Sequence, residues 1–554
     1  MNSIQHKKII ISDRWDGFGE RILSMLNAMY VADRFGYQFG FIWRELKKFS
    51  NCDNKIISPE LPCADAVFDK VFLEKYLYNN INPSYNDSYW WALRGRKLEE
   101  VLLQTKEEIV KFSLQGDLSS IFIDVEKKEY YNKIQYLFNS ISFEENIKES
   151  ILCALKIFNQ MKDYAAMHIR GGDIIYDSKL TYQFRLKVFP SHLACHFIEK
   201  SEDGKKIILF GNDLELNIEL RKKFSKKKKV FLLNEIIPRT YNNIQRIFFE
   251  IILMSKSDIL YTTGTSGFSN LASRIGQSQV VSFYTNYTEK WIYAQLSSGL
   301  TKYKFNSMQT SFSYLMLYYY ADKLFKSNLI KTKILINGLR LNNSHYYIFS
   351  ILYIDLLLKA RKYYYVDMHL LNLDVDFFCK ILLQDIHGSF FYSCYWIQYF
   401  NDFKNHQQSI LILYLKLKIS DFIINNKISR FLNREILSFY EEQNVFFLQF
   451  NIRFLSFVDF LCLLKNNINK LDINYYQYGY SIVNNISVAE NTLDGAMINF
   501  NENIVLNKLI KKNIFYKFGW QLKYKIKKWG KMGYIILLYK LLKLRKQQAN
   551  RKFQ

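Results

Sequence analysis

The stretch "HIRGGD", residues 168–173, carries the first chemical signal in this chain. Arg170 offers a planar fork of donors that suits a diphosphate. Asp173 can hold that fork or take a sugar hydroxyl, and His168 stands beside them. Gly171 and Gly172 remove side chains where a ligand or another backbone comes close. Taken alone, the stretch also fits a strand end with a structural Arg–Asp pair and a turn. Two further stretches shift that balance. "KKIILFGNDLE" (205–215) ends an apolar run in Gly211, Asn212 and Asp213. "SDILYTTGTSGFSNLASRIG" (257–276) ends another in Thr262, Thr263, Gly264, Thr265, Ser266 and Gly267, just where a helix begins. Hydroxyls and backbone N–H groups at a helix start make an anion site, or simply an N-cap with a flexible turn. Three strand ends bearing small polar residues point to one nucleotide-sugar cleft.

The elements that must carry these residues are short and alternate in type. "KKIIIS" (7–12), "YQFGFIW" (37–43), "YAAMHI" (164–169), "KKIILF" (205–210), "KKVFLL" (228–233), "SDILYT" (257–262) and "QVVSFY" (279–284) read as strands. Helical spacing fills 191–200, 214–224, 241–256 and 266–276, and places Ile22, Leu23, Leu26, Met29 and Tyr30 after the turn "DGFGE". Strands alternating with helices predict an α/β protein with parallel sheets covered on both faces. Ligands of such sheets sit beyond the carboxyl ends of the strands. Two blocks, separated by a less regular 45–150 region, predict two Rossmann-like domains, 1–155 and 156–300. All five prolines lie at or before Pro238, and 301–504, rich in Tyr, Phe, Leu and Asn, reads as a mostly helical accessory domain.

The formal net charge is +25 over 554 residues, and its placement is uneven. Residues 508–554 hold fifteen Lys or Arg and no Asp or Glu. There Trp520, Trp529, Tyr534, Ile535, Leu538 and Leu542 interleave with lysines, as in a basic amphipathic segment that docks on an anionic membrane surface. Segment 505–554 is therefore read as a membrane-docking tail. No nucleic-acid module accompanies the charge, so nucleic acid is not an expected partner. No apolar run reaches the roughly 18 residues of a membrane span. Seven scattered cysteines without a CxxC spacing fit reduced thiols, and no secretory leader is evident, so the expected location is cytoplasmic, peripheral on the inner membrane.

The ordered set HxRxGD, then strand-(G/S)-(N/D)-D, then "SDILYTTGTSGFSNLA" resembles the α-1,2-, α-1,6- and protein O-fucosyltransferase superfamily over roughly residues 7–285. "DGFGERILSMLNAMYVADRFG" (16–36) is similar to that family's glycine-rich first loop and helix. Bacterial capsule and lipopolysaccharide sugar transferases with this core are closer in character. The resemblance implies a GT-B-like pair of domains and an inverting transfer from a GDP-sugar, fucose or a relative, to a glycan or lipid-linked glycan acceptor. It implies that Arg170 meets the donor's β-phosphate. It also implies that His168, Gly17, Gly19, Gly211, Asn212, Asp213, Thr263, Thr265 and Ser266 line the donor site. Asp213 would lie on the nucleoside side. The base implied is Asp16, before Gly17 and Phe18, with Glu20 and Asp173 next in line. The sequence departs from the family where Gly171 replaces a second arginine and where Thr-Ser-Gly (265–267) replaces Ser-Ser-Gln.

Other chemistries are weaker. Asp374 and Asp376 in "LNLDVDFF" (371–378) have the Asp-x-Asp spacing by which GT-A transferases hold a divalent metal with the donor. That reading makes a metal-dependent transferase the first alternative, and a non-catalytic membrane-associated carbohydrate-binding or scaffold protein the second. His192 and His196 are one helical turn apart but lack a third ligand. No GxxxxGK[ST] loop occurs. The expectation is a transferase with no cofactor and no essential metal.

Overall fold

The computed structural model describes residues 8–45, 61–78, 93–104, 108–177, 181–276, 278–370 and 372–383, with isolated positions up to 422. The chain forms two compact units, Met1–Ile334 and Leu335–Gln554. The first unit holds two parallel sheets. In the smaller one, β1 (Ile9–Asp13) lies between β2 (Gln38–Ile42) and β3 (Ile109–Lys111). Strand β3 belongs to the stretch read as irregular. Three residues are too few for a pattern of period two to stand out, and pairing with β1 defines it.

The larger sheet has the order β6-β5-β4-β7-β8 and is parallel throughout. Its strands are β4 (Tyr164–His168), β5 (Lys206–Phe210), β6 (Lys229–Leu232), β7 (Ile259–Thr262) and β8 (Gln279–Ser282). Every residue of β4 is buried, as a strand covered on both faces requires, and Ala165 and Ala166 keep that centre thin. The chain leaves β4 toward β5 and β6, then returns to β7 on the other side. Strand order therefore reverses beside β4. In open parallel sheets the ligand crevice opens outside the carboxyl ends at such a reversal. "HIRGGD" begins there.

Six helices set the packing: α1 (Phe18–Phe35), α2 (Lys127–Ser140), α3 (Glu145–Met161), α4 (Leu214–Phe224), α5 (Asn243–Lys256) and α6 (Gly267–Ile275). Helix α1 ends at Gly36, whose φ of 67° lets its N–H reach the carbonyls of Ala32 and Asp33. Helix α6 packs against both α1 and α5, joining the two halves of the unit. A buried polar cluster ties the same junction. Asn27 of α1 donates to the carbonyls of Leu114 (2.6 Å) and Gly116 (2.9 Å) and accepts from the Tyr130 hydroxyl (2.6 Å). Arg274, at the end of α6, donates to the carbonyls of Gln115 and Gly116.

Helix α3 runs unbroken across position 155, and the helix Ser307–Lys323 belongs to the first unit, which extends past residue 300 to Ile334. The described part of the second unit is helical: Tyr346–Lys359, Tyr363–Leu370 and Val375–Leu382. The basic tail, 505–554, lies outside the described residues, as does most of 384–504. Among the described residues no helix is long and apolar enough to cross a membrane.

The Asn27 cluster yields a stability prediction. Asn27→Ala strands the Leu114 carbonyl and removes the acceptor of the Tyr130 hydroxyl, while Gly116 keeps its bond from Arg274; this should lower unfolding free energy by about 1–3 kcal/mol. Urea denaturation with an unchanged m-value is the check; a loss under about 0.5 kcal/mol would remove the cluster from any structural role.

Candidate active site

Strands β4 and β5 pair in register along their full length, so their exits are neighbours. Gly211 turns the chain at the β5 exit with φ of 137°, and a Cβ there would sit 2.1 Å from the Ile169 carbonyl oxygen. That close approach brings Asn212 against the β4 exit. Its side-chain carbonyl accepts from the backbone N–H groups of Gly171 (3.3 Å) and Gly172 (3.1 Å). Its amide donates to Asp173 Oδ1 (2.6 Å), and Arg170 Nη2 donates to Asp173 Oδ2 (2.5 Å). The guanidinium is thus anchored at one end through a carboxylate and an amide to fixed backbone. Its side chain remains 30% exposed, while its Nε is buried without a hydrogen-bond partner.

His168 closes β4. Its ring stacks on Phe268 in the first turn of α6, with centroids 5.6 Å apart, and its Nδ1 is buried without a partner. Burial first, and the neighbouring Arg170 charge second, push its pKa down to about 3. The ring is neutral at physiological pH. It therefore adds no positive charge beside Arg170.

Asp213 sits beside this network with both oxygens committed. Oδ1 caps α4 by accepting from Leu216 N–H (3.0 Å), and Oδ2 accepts from the Gln309 amide (2.7 Å). Burial raises its carboxyl above the usual range. Gln309 lies on the helix Ser307–Lys323, in a region read as accessory, and nothing in the sequence marks it as a partner of Asp213.

The β7 exit is organised by its own hydroxyls. Thr262 Oγ1 accepts from Gly264 N–H and contacts Ser269 Oγ (2.6 Å), while Thr263 Oγ1 accepts from Thr265 N–H. Thr265 Oγ1 donates to the Leu186 carbonyl (2.6 Å). Gly264 has φ of 80° and abuts Ser282. Ser266 is the N-cap of α6 but makes no side-chain capping bond.

The first half contributes the exit of β1. Asp16 is held by Arg14, whose Nε lies 2.9 Å from each carboxylate oxygen and whose Nη2 lies 2.5 Å from Oδ2. Arg21 is buried and donates to the carbonyls of Asp16, Trp15 and Arg44, with its guanidinium 5.0 Å from the centre of the Trp43 ring. It fixes the loop that carries Asp16 and leads through Gly17 into α1. Gly19 packs on the backbone of Gly267, and the Glu20 carboxylate accepts from Gly267 N–H (3.3 Å). The two halves therefore meet next to the β7 exit. The structure joins Arg170, Asp173 and Asn212 directly, joins His168 to the start of α6, and places Glu20 there too. It pairs Asp16 with Arg14.

The alternative ligand sets have other roles. Asp374 is the N-cap of Val375–Leu382 and accepts from Phe377 N–H (3.0 Å), so the Asp-x-Asp pair stands at the start of a helix. His192 Nδ1 bonds Ser313 Oγ (2.7 Å), and His196 packs edge-on against Trp291. Among the described residues no three His, Cys, Asp or Glu side chains group as a metal site, and Cys63, Cys153, Cys195 and Cys379 are free thiols.

Fold and site together define an α/β protein with two parallel-sheet halves and an anchored arginine at the strand-order reversal of the larger sheet. Among solved structures, the chain is similar to the α-1,6-fucosyltransferase NodZ soaked with GDP-fucose, at 16% identity and a TM-score of 0.32 over 50% of this chain and 96% of that one. A NodZ structure from Bradyrhizobium matches at 15% identity and a TM-score of 0.32, covering 51% and 96%. POFUT1 in complex with GDP-fucose matches at 12% identity and a TM-score of 0.30, covering 50% and 98%. No protein-family model and no curated protein matches the chain.

The buried histidine generates a pH prediction. An unfolded imidazole takes a proton near pH 6.5, whereas folded His168 resists until about pH 3. Stability is therefore full above pH 6.5 and falls toward pH 3, by at most about 1.4 kcal/mol per pH unit from this group. His168→Gln should flatten part of that slope in denaturation curves taken between pH 7 and 4. An identical slope in the variant would refute the assignment.

Proposed function

We propose that the protein is an inverting glycosyltransferase that moves fucose or a related sugar from a GDP-sugar to a surface-polysaccharide acceptor. The observation that carries this reading is the anchored Arg170. A guanidinium held from below by Asp173 and Asn212, at the strand-order reversal, is preorganised to meet a diphosphate. The ordered motifs supply the donor class, and GDP-fucose is the donor that the sequence resemblance implies.

In the reaction, an acceptor hydroxyl attacks the anomeric carbon as the bond from that carbon to the diphosphate oxygen breaks. GDP leaves with the bonding electrons, and Arg170 neutralises the charge that builds on it. Asp16 takes the hydroxyl proton, with Arg14 as the group that sets its orientation before the acceptor arrives. Asp173 and Asn212 are positioning residues for Arg170. The acceptor is a lipid-linked glycan of capsule or lipopolysaccharide type. Support for this comes from the charge of residues 508–554, fifteen Lys or Arg without an acidic residue, which would bring the enzyme to an anionic membrane surface from the cytoplasmic side.

The test is calorimetric titration of GDP and UDP, with and without EDTA, into wild type and Arg170→Ala. GDP should bind in EDTA, and the variant should lose at least about tenfold in affinity, the scale of a charge-assisted hydrogen bond. UDP binding that needs metal, or GDP binding indifferent to Arg170, would overturn the reading. Asp16→Asn should keep GDP affinity and lower kcat by about 10²–10⁴; a variant with normal turnover would remove Asp16 as the base.

A further inference from the structure

We propose that Glu20 is a positioning residue, an internal anion seated on the first turn of α6 that latches the two halves of the first unit and competes with a donor diphosphate for that helix end. The geometry is specific. Glu20 belongs to α1 in the first half, and Gly267 opens α6 in the second, 247 positions along the chain. The backbones touch: a Cβ on Gly19 would lie 2.4 Å from the Gly267 carbonyl carbon. The carboxylate lies against Gly267, where a Cβ would come within 2.2 Å of Glu20 Cδ and 2.5 Å of Oε2. Glycine at 267 is thus what lets the carboxylate in, which gives the Thr-Ser-Gly departure a physical reason.

Ser266, the residue placed to cap α6, makes no side-chain capping bond. The negative charge expected at a helix start arrives instead from another half of the unit. Gly17 leaves the other side of the carboxylate open, since a Cβ there would stand 3.2 Å from Oε2. His168, stacked on Phe268, is neutral and supplies no compensating cation nearby. A diphosphate approaching Arg170 from this side meets a fixed negative charge. The competition with donor rests on the proposed function; the latch between halves does not.

The test uses Glu20→Gln and Glu20→Ala in the full chain, with three readouts. Calorimetry with inorganic pyrophosphate and with GDP reads the competition. Amide hydrogen exchange over 263–270 reads the latch. Steady-state kinetics read the split between kcat and donor KM. Glu20→Gln removes the charge but keeps an acceptor oxygen. It should bind both ligands about three- to tenfold tighter, with lower donor KM. Glu20→Ala should speed exchange across 263–270 and lower kcat. A merely structural cap would weaken ligand binding in both variants. Unchanged or weaker pyrophosphate binding in Glu20→Gln overturns the competition, and unchanged exchange in Glu20→Ala overturns the latch. If wild type fails to bind GDP, the donor reading falls while the exchange result still decides the latch.

Discussion

The plane of the Arg170 guanidinium is fixed by something more rigid than itself, and that something is backbone. The N–H groups of Gly171 and Gly172 hold Asn212, Asn212 holds Asp173, and Asp173 holds Arg170. The chain of bonds exists only because β5 pairs beside β4 and because Gly211 can lie against the Ile169 carbonyl. A side chain at 211 would part the two exits, and the arginine would lose its support two residues removed from the change. Parallel pairing, a tolerated positive φ and a short amide are thus all conditions for one cation's orientation.

The first half follows a related logic with different groups. Arg21 is a cation buried among carbonyls, donating to Asp16, Trp15 and Arg44. Burial pulls its pKa below the ordinary arginine value. It touches the loop through backbone only, so it sets where Asp16 and the glycines stand without using the Asp16 carboxylate. Arg14 takes that carboxylate instead. One arginine shapes the loop, and a second, more exposed one governs its acid.

The strands and helices named from the sequence were legible because β-branched runs and helical spacing alternate cleanly there, and the structure moves their ends by only one or two residues, whereas α2 and α3 were not named. The Arg170–Asp173 pair was legible as well, since both residues stand within one short motif. What sequence could not place were the partners brought by distant elements. Gln309 caps nothing and repeats nothing, yet it occupies an Asp213 oxygen. Glu20 stands in the sequence as a candidate base after Asp16, and its place on Gly267 depends on two halves meeting. Asp374 and Asp376 have a metal-binding spacing by pattern, but an exposed helix or loop is the stronger reading of the segment, and Asp374 caps a helix by accepting from Phe377 N–H. Strand β3 was hidden by its brevity. For Gln309, Glu20 and β3 the deciding contact is non-local, and local periodicity carries no trace of it.

The site's anion-binding capacity is consequently narrower than its sequence implies. Hydroxyls of Thr262 and Thr263 stabilise their own turn, Thr265 is bound to Leu186, and the opening of α6 already holds a carboxylate. Asp213 is closed off between a helix cap and Gln309. Of the groups that three strand ends present, Arg170 retains a buried Nε without a partner, and it alone among them carries a full positive charge. Under the proposed function, a donor diphosphate at this edge is therefore drawn to one point rather than spread over three. Under that proposal leaving-group charge develops on the same diphosphate, so the interaction that selects the donor is also the one that strengthens as the sugar–oxygen bond breaks.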